Sequence, residues 1–388
     1  MTAEIFRSRL FLLSSVVAAF AFTPAAAAPV ALATELVFDG AASGDGVSAP
    51  RLGSDGSGNY VVFQLNDIGP FGVGPGAVVF QRLTSAGASS GAPQVISRNV
   101  SNETAPDGSG QYVVYVSDDD FDGQGDAVRL IDLSTSSDFL VADGLSGAGP
   151  ISDVRISGER IAWNQGDIIF FTQVTTIGTG VPPTVVRGPV PASSATEIDS
   201  RFIVWTEQVA GFDMETRAQE IGGASFFVTS DDLSDGFNEI TPATFGDLIA
   251  FGLVDNATGL ADIVLRDIAA ATMTTFLLGL EGLSALSLSQ DFLAFNALDA
   301  GGVSQAFILS LLDGGVLQLT NGQNGGGVSD VFGDFVAYTS GDQLFVAELG
   351  EGVAEIPVPP AFALFGLGLA GLAASRRRRA ASGLEKGI

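Results

Sequence analysis

Seven short apolar runs, each ending in an aromatic residue, divide this chain into repeats of nearly constant length. The aromatic residues follow one another at intervals of 52, 48, 42, 46, 44 and 43 residues. The runs are rich in β-branched residues, are too short for helices and mostly follow Gly/Ser/Asp turns, a pattern that predicts strands. Regular recurrence predicts one copy of the same β unit per repeat. The aromatic residues are Phe63, Tyr115, Trp163, Trp205, Phe251, Phe295 and Tyr338.

Further strands are predicted on both sides of these runs. A Gly/Asp/Asn hairpin and a second strand follow most of them, as in "AVRLIDL" from Ala127 and "DIVLRDI" from Asp262. A third strand follows in several copies, as in "FLVAD" from Phe139, and a short strand precedes each turn. About four strands per copy predict an all-β, seven-bladed β-propeller over residues 34–355. Separate two-sheet sandwich domains are the alternative, but each would need ~100 residues.

The repeats resemble those of TolB-like and WD-type propellers. Repeats of that kind run through a turn, an apolar strand ending in an aromatic residue, a hairpin and a strand near "DIYLYDL". The resemblance extends over residues 36–350 of this chain. It implies the propeller fold but no particular activity, because propellers support many unrelated functions.

The two ends of the repeat region predict how the ring closes. The seventh repeat supplies only three strands, the last of them "QLFVAEL" from Gln343. At the other end, "ELVFDG" from Glu35 resembles the outer-strand sequence "FLVADG" from Phe139. We therefore expect Leu36 to Phe38 to pair as the outermost strand beside Gln343 to Leu349, which would remove an open sheet edge.

Residues 1–33 have the layout of a secretory signal peptide. Arg7 and Arg9 precede a thirteen-residue, largely apolar stretch that ends at Phe22, and small residues then offer cleavage positions after Ala27 or Ala33. An N-terminal membrane anchor is the alternative, but spanning a bilayer normally requires ~20 apolar residues. The segment therefore predicts export through the inner membrane.

Residues 356–388 predict a second targeting segment. Twenty uncharged residues run from Ile356 to Ser375, and Pro357 and Pro359 keep a helix from starting before about Pro360. The hydrophobic helix that remains is short for a membrane span. Basic residues that follow such a helix stay on the cytoplasmic side of the membrane. Here they are Arg376, Arg377, Arg378 and Arg379.

This terminal segment resembles the PEP-CTERM sorting signal of Gram-negative bacteria, with its prolines, short Gly/Leu/Ala-rich helix and arginine cluster. The resemblance implies recognition by an exosortase-type enzyme, cleavage near the prolines and delivery to the envelope surface or extracellular matrix. The chain departs from the pattern by having Val358 where a glutamate would stand between two prolines, and by a tail that follows the arginines. A retained membrane anchor is the alternative.

The charge of the repeat region limits its partners. Of the 17 basic and 44 acidic residues, seven basic and two acidic ones lie outside residues 34–355. Ten arginines therefore face 42 carboxylates, a net charge of −32, with no lysine. Nucleic acids and anionic lipid surfaces are poor partners for such a field. A negative field of this size is more consistent with a soluble domain and with binding of divalent cations.

The absent residue types exclude several chemistries. The chain has no cysteine and no histidine. Disulfides, thiolate chemistry, a Ser-His-Asp arrangement and histidine metal ligands are therefore excluded. A hydrolase that uses two carboxylates remains possible. The pattern of acidic residues singles out no such pair, and solvated turn residues are the simpler interpretation.

One acidic loop, "SDDDFDGQGDAV" from Ser117 to Val128, has the spacing of a calcium loop. Its position 12 is Arg129 instead of the bidentate glutamate of an EF-hand, so the loop resembles a calcium-binding hairpin. An acidic hairpin turn without an ion is the alternative. The predicted ligands, at positions 1, 3, 5 and 9, are Asp118, Asp120, Asp122 and Asp126.

Two functions follow from these observations. The first is a secreted, surface-sorted propeller without catalytic activity that binds a polysaccharide or protein at the envelope. The second is an extracellular polysaccharide hydrolase that uses carboxylates. We expect a converging pair of acids in a central, aromatic-lined cleft for the hydrolase, and dispersed acids for the binding protein.

Overall fold

The propeller predicted from the repeats is confirmed. The computed structural model describes residues 29–40, 46–66, 76–97, 102–119, 124–144, 149–187, 194–209, 213–229, 236–323 and 325–350. Within them, 28 strands form seven antiparallel sheets of four strands each. The innermost strand of each sheet contacts the innermost strands of both neighbouring sheets, so the sheets close a ring of seven blades.

The first six blades follow one another along the chain. Blade one contains β2 (Val47–Asp55), β3 (Gly58–Leu65), β4 (Ala77–Arg82) and β5 (Gln94–Val95). Blade two contains β6 (Asn102–Ser109), β7 (Tyr112–Asp118), β8 (Ala127–Asp132) and β9 (Ser137–Asp143). Blade three contains β10 (Ile151–Ser157), β11 (Arg160–Gln165), β12 (Ile168–Gln173) and β13 (Thr184–Arg187). Blade four contains β14 (Ser194–Ile198), β15 (Phe202–Gln208), β16 (Met214–Glu220) and β17 (Ser225–Phe227). Blade five contains β18 (Phe237–Phe245), β19 (Leu248–Asp255), β20 (Leu260–Asp267) and β21 (Thr272–Glu281). Blade six contains β22 (Ser284–Leu288), β23 (Phe292–Leu298), β24 (Ser304–Ser310) and β25 (Val316–Gln318).

Blade seven joins the two ends of the repeat region, as predicted. It contains β26 (Gly326–Phe332), β27 (Phe335–Ser340) and β28 (Gln343–Gly350), and its outermost strand is β1 (Val30–Asp39). Because β1 begins at Val30, cleavage of the chain after Ala27 would leave it whole. Cleavage after Ala33 would remove its first four residues.

The core consists of seven hydrophobic clusters, one between each pair of neighbouring blades. Each aromatic residue of the repeat lies on the second strand of its blade and is buried. Several stack on an aromatic residue of the third strand. Trp163 lies over Phe170 with 5.5 Å between ring centroids, and Phe295 lies over Phe307 at 5.3 Å. Each repeated aromatic residue also belongs to the hydrophobic cluster that its blade shares with the preceding blade.

The described part of the chain includes a short 3-10 turn, Val174–Thr176. No helix there is long and apolar enough to cross a membrane. The predicted signal peptide and the predicted C-terminal hydrophobic helix lie outside the described residues.

Candidate functional site

The inner strands share a local distortion that aims one residue of each at the propeller axis. Every inner strand shifts register against its neighbour just before the same structural position. In five of them a residue two places earlier has a left-handed backbone, for example Ala49 at φ 48° and Asp153 at φ 47°. Such bulges re-aim the side chain that follows. The residues at this position are Arg51, Asp107, Arg155, Glu197, Ala243, Ser287 and Asp330.

Glu197 joins three blades through two arginines. Its Oε1 lies 2.9 Å from Nε of Arg155 in the neighbouring blade and 3.3 Å from Nη2 of Arg51 in blade one. Although burial opposes ionisation, the two guanidinium groups hold the pKa of Glu197 below its usual value. Arg51 also reaches Asp330, with Nη1 3.6 Å from Oδ1. One arginine therefore connects blades one, four and seven.

The other two carboxyl groups at this position, those of Asp107 and Asp330, accept hydrogen bonds from backbone N–H groups of the following blade. Asp107 accepts a hydrogen bond from the N–H of Ile156 at 2.8 Å, and Asp330 accepts one from Leu52 at 2.8 Å. Ser287 donates to Asp330 at 2.8 Å. Burial raises the pKa of Asp107 to about 6, against the opposing charges of Arg51 and Arg155.

We call Arg51, Asp107, Arg155, Glu197, Ser287 and Asp330 the axial cluster. Two arginines face three carboxyl groups, so the cluster carries one negative charge when all five are ionised. Burial also raises the pKa of Asp330, and Arg51 opposes that rise. Paired and hydrogen-bonded charges of this kind fix a geometry more than they add stability. The cluster therefore holds six of the seven blades in one arrangement around the axis.

Two buried glutamates, one from blade four and one from blade five, lie close together. Glu215 on β16 and Glu239 on β18 are each 4% exposed. The hydroxyl of Thr229 lies 3.2 Å from Oε2 of Glu215 and 2.6 Å from Oε1 of Glu239. Glu239 also accepts a hydrogen bond from the N–H of Thr216 at 2.6 Å. The two glutamates therefore meet at one hydroxyl group, although they come from different blades.

These glutamates border a cavity of about 160 Å³. Apolar side chains from three strands of blade five form much of its wall, and the outer strand β21 adds a threonine and a methionine at the rim. The lining residues are Glu215, Thr229, Phe237, Glu239, Phe251, Leu253, Val264, Met273 and Thr275. We call this the interblade cavity. It combines an anionic end with apolar walls.

The predicted calcium ligands are only partly within the described residues. Asp118 is the buried last residue of β7, and Asp126 precedes β8, its N–H donating to the carbonyl of Ser117 at 2.8 Å. Asp120 and Asp122 lie outside the described residues. The described residues contain no group of three or more acidic side chains placed to hold a metal ion. The calcium site stays a prediction.

Asp119, which is not one of the predicted calcium ligands, forms an ion pair with Arg129 at loop position 12. Its carboxylate lies 3.4 Å from Nη1 of Arg129, and Arg129 also contacts Asp138 at 3.2 Å. An arginine at that position therefore neutralises one acid of the loop and links it to the outer strand β9. The sorting-signal residues Pro357, Pro359, Arg376, Arg377, Arg378 and Arg379 lie outside the described residues.

Neither the axial cluster nor the pair formed by Glu215 and Glu239 was predicted from the sequence. In six repeats the axial position lies eight residues before the repeated aromatic residue, as in Asp107 before Tyr115. That periodic position holds a charged or hydroxyl residue in five of the six, which is a detectable signal. The interblade cavity has no comparable signal, because its two glutamates lie on different blades.

Solved structures share the fold at low sequence identity. The β-propeller domain of the Trilobed protease from Pyrococcus furiosus matches with a TM-score of 0.55 and 13% identity, over 81% of this chain and 99% of that one. An oligogalacturonate lyase from Vibrio parahaemolyticus matches with a TM-score of 0.53 and 9% identity, over 84% and 99%. The chain is a seven-bladed β-propeller. At these identities the likeness extends to the fold alone.

A further match limits what the comparison says about activity. A prolyl endopeptidase matches with a TM-score of 0.55 and 12% identity over 81% of this chain, which spans about half of that enzyme at 51%. No protein-family model matches the sequence, and no curated protein does.

Proposed function

We propose that this protein is an exported, surface-sorted propeller that binds a protein or polysaccharide at the bacterial envelope without catalysing a reaction. The observation that supports this best is the engagement of the axial carboxyl groups by arginines and backbone N–H groups. A general acid or base must reach its substrate. Carboxyl groups that hold blades together are poorly suited to that role.

The terminal segments support the proposed destination. A signal peptide at residues 1–33 would export the chain, and an exosortase-type enzyme would then act on residues 356–388. Between them lies a body of net charge −32, which favours solubility outside the cytoplasm. Calcium, bound through Asp118, Asp120, Asp122 and Asp126, would stabilise the loop between β7 and β8 as a structural ion.

The paired glutamates favour the hydrolase as a second candidate. The two oxygens that contact the Thr229 hydroxyl are at most about 6 Å apart, a limit that is compatible with the closely spaced carboxyl pair of a retaining glycosidase. The pair lies between two blades and not on the axis. Its cavity is small for a sugar polymer, which makes binding the better proposal.

A screen with the secreted full-length protein distinguishes the two candidates. It would be incubated with envelope fractions and purified polysaccharides, and both retention and newly formed reducing ends would be measured. Saturable retention without new reducing ends is the expected result. Release of reducing ends that is lost in Glu215→Gln and Glu239→Gln variants would establish the hydrolase and overturn the proposal.

A further inference from the structure

Of the seven outer strands that the structure describes, β21 is the long one whose edge has no protection. Natural proteins protect an exposed sheet edge with charges, with proline or by keeping the strand short. Four of the other six outer strands, β1, β5, β9 and β13, contain a charged residue or directly follow a proline. The remaining two, β17 and β25, have three residues each. β21 has ten, and neither a charged residue nor a proline occurs from Ile268 to Leu280.

The regular part of β21 is a ladder of five residues. Thr272–Phe276 pair with β20 without interruption. Before them, Ala271 has a left-handed backbone at φ 53°. After them the register shifts, and the N–H of Leu278 donates to the side chain of Asp262 at 2.8 Å. The middle residue of the regular ladder is therefore Thr274.

The outer side of this ladder is accessible. None of the described strands pairs with it. Its first four residues are exposed, with Met273 at 54%, and Leu277 directly after the ladder is 81% exposed. The open backbone groups of such a strand can pair with a strand of another molecule. Because an outer strand lies on the circumference of the ring, a second body can approach it from the side.

The ladder is complementary to itself. With a two-fold axis at Thr274, this residue lies opposite its own counterpart in an antiparallel pair. Met273 then lies opposite Thr275, and Thr272 lies opposite Phe276. Pairs of threonines and pairs of an aromatic with a β-branched residue stabilise antiparallel strands, whereas like charges directly opposite each other destabilise them. Self-pairing of this ladder brings no two charges together.

We propose that the protein forms a two-fold symmetric dimer in which β21 pairs with β21 of a second copy around Thr274, joining two four-stranded sheets into one. Charge identifies the occupant. The repeat region carries a net charge of −32, so two copies repel each other, and an uncharged edge lets them approach at the lowest cost. A partner of opposite charge would gain nothing from such an edge. The dimer does not depend on the proposed envelope ligand.

Sedimentation equilibrium of the secreted full-length protein tests the dimer. We expect a monomer–dimer equilibrium that tightens between about 50 mM and about 500 mM salt, because salt screens the repulsion between the two bodies. Thr274→Asp should weaken the dimer about ten-fold or more, since it places two carboxylates opposite each other at the axis. Thr184→Asp makes the same change at an exposed position of the outer strand β13 and should leave the equilibrium unchanged.

Introduced cysteines test the register. The chain has no cysteine, so each variant carries a single thiol. Thr274→Cys should form a disulfide-linked dimer under mild oxidation, because Cβ atoms of directly opposite residues are about 4.5–5.5 Å apart, close to disulfide geometry. Met273→Cys alone should crosslink far less, since Met273 lies opposite Thr275. A mixture of Met273→Cys with Thr275→Cys should crosslink again, and non-reducing electrophoresis measures all three.

Four results would overturn the proposal: a monomer at every concentration and salt, a dimer that added salt weakens, equal association of Thr274→Asp and the unmodified protein, or equal crosslinking of Thr274→Cys and Met273→Cys. The salt result would indicate a contact between opposite charges. The melting temperature of each variant checks its folding. If Thr274→Asp does not fold, the cysteine variants decide.

Discussion

Leu36 lies opposite Phe345 in the register of β1 and β28, which brings the two ends of the repeat region into one sheet. Two residues later, Phe38 is buried, and its ring lies 5.3 Å from that of Phe63 in blade one. The first strand therefore completes blade seven and also fills the core between blades seven and one. These contacts join residues far apart in sequence, so they should form late in folding.

Deletion of residues 34–40 should lower the free energy of unfolding by on the order of 5 kcal/mol, because it removes the buried side chains of Val37 and Phe38 and opens a sheet edge. Trimming an exposed tail would cost far less. Urea unfolding measures the difference. Phe38→Ala should reproduce about 3–5 kcal/mol of the loss, whereas Leu36→Ala, at an exposed position of the same strand, should cost much less. Equal effects of the two substitutions would contradict the closure.

Replacement of Arg51 by methionine should cost about 3–5 kcal/mol, because it leaves buried carboxylates with fewer cationic partners. The double variant Arg51→Met/Glu197→Gln should lose less than the two single losses combined, since the residues contact each other. Thermal and urea unfolding would provide the cycle. Arg82→Met removes a more exposed ion pair with Asp55 and should cost only about 1 kcal/mol. Strictly additive losses at Arg51 and Glu197 would show that the axial contact does not couple the blades.

How much of this fold the sequence reveals depends on which residues repeat. The second strands repeat an aromatic residue whose environment is the same in every blade, so Phe63 and Trp163 alike mark a buried strand. Closure was also predictable, because β1 resembles an outer strand within the same chain. The axial cluster was not predicted, because opposite charges such as Arg51 and Glu197 meet only across the closed ring.

Differences between blades are harder to predict than their common pattern. The run "FFVTS" from Phe226 predicts an outer strand, and the strand in the structure is Ser225–Phe227. The neighbouring outer strand has ten residues, although the two blades share the same pattern of strands. Whether two acidic residues lie close together also depends on which blades are neighbours. The spacing of Glu215 and Glu239 along the sequence therefore does not predict that they lie near each other.

Removal of calcium should lower the melting temperature if Asp118, Asp120, Asp122 and Asp126 bind the ion. Binding to the folded state alone stabilises it by mass action, which for this chain length corresponds to roughly 2–6 °C at saturating calcium. Asp120→Ala should abolish the difference between calcium and chelator. Asp119→Asn, which breaks an ion pair with Arg129, should lower the melting temperature equally in both conditions. An unmodified protein that melts at one temperature in both conditions would count against the site.

Replacement of Arg376, Arg377, Arg378 and Arg379 by glutamine should alter retention at the inner membrane, because basic residues hold the end of a terminal helix on the cytoplasmic side. The protein recovered from the cell surface should lack these arginines. It should begin after Ala27, since a later cut would shorten β1. Mass spectrometry of both termini provides the measurement. An intact C-terminus on surface protein would defeat the cleavage, and a start after Ala33 would defeat the choice of site.

Stability should depend on pH through Asp107, which faces Arg51, Arg155 and Asp330 in the axial cluster. Its pKa is raised from 3.8 to about 6, so the folded state holds a proton that the unfolded state releases between these values. The contribution of Asp107 to stability is therefore full below about pH 4 and is lost as pH rises through 6, by up to about 3 kcal/mol. Glu197 and Asp55 have lowered pKa values and act in the opposite direction as pH falls.

Comparison with Asp107→Asn isolates this dependence. Asparagine does not titrate, although it has one acceptor where the carboxylate has two, for the N–H groups of Gly108 and Ile156. The variant should therefore lose a constant amount of stability in addition to the pH-dependent part. Urea unfolding at pH 4, 5, 6 and 7 should show the unmodified protein losing its advantage over the variant as pH rises. Asp291→Asn, at an exposed site, should run parallel to the unmodified protein. A difference between Asp107→Asn and the unmodified protein that stays constant across this range would mean that Asp107 is ionised throughout.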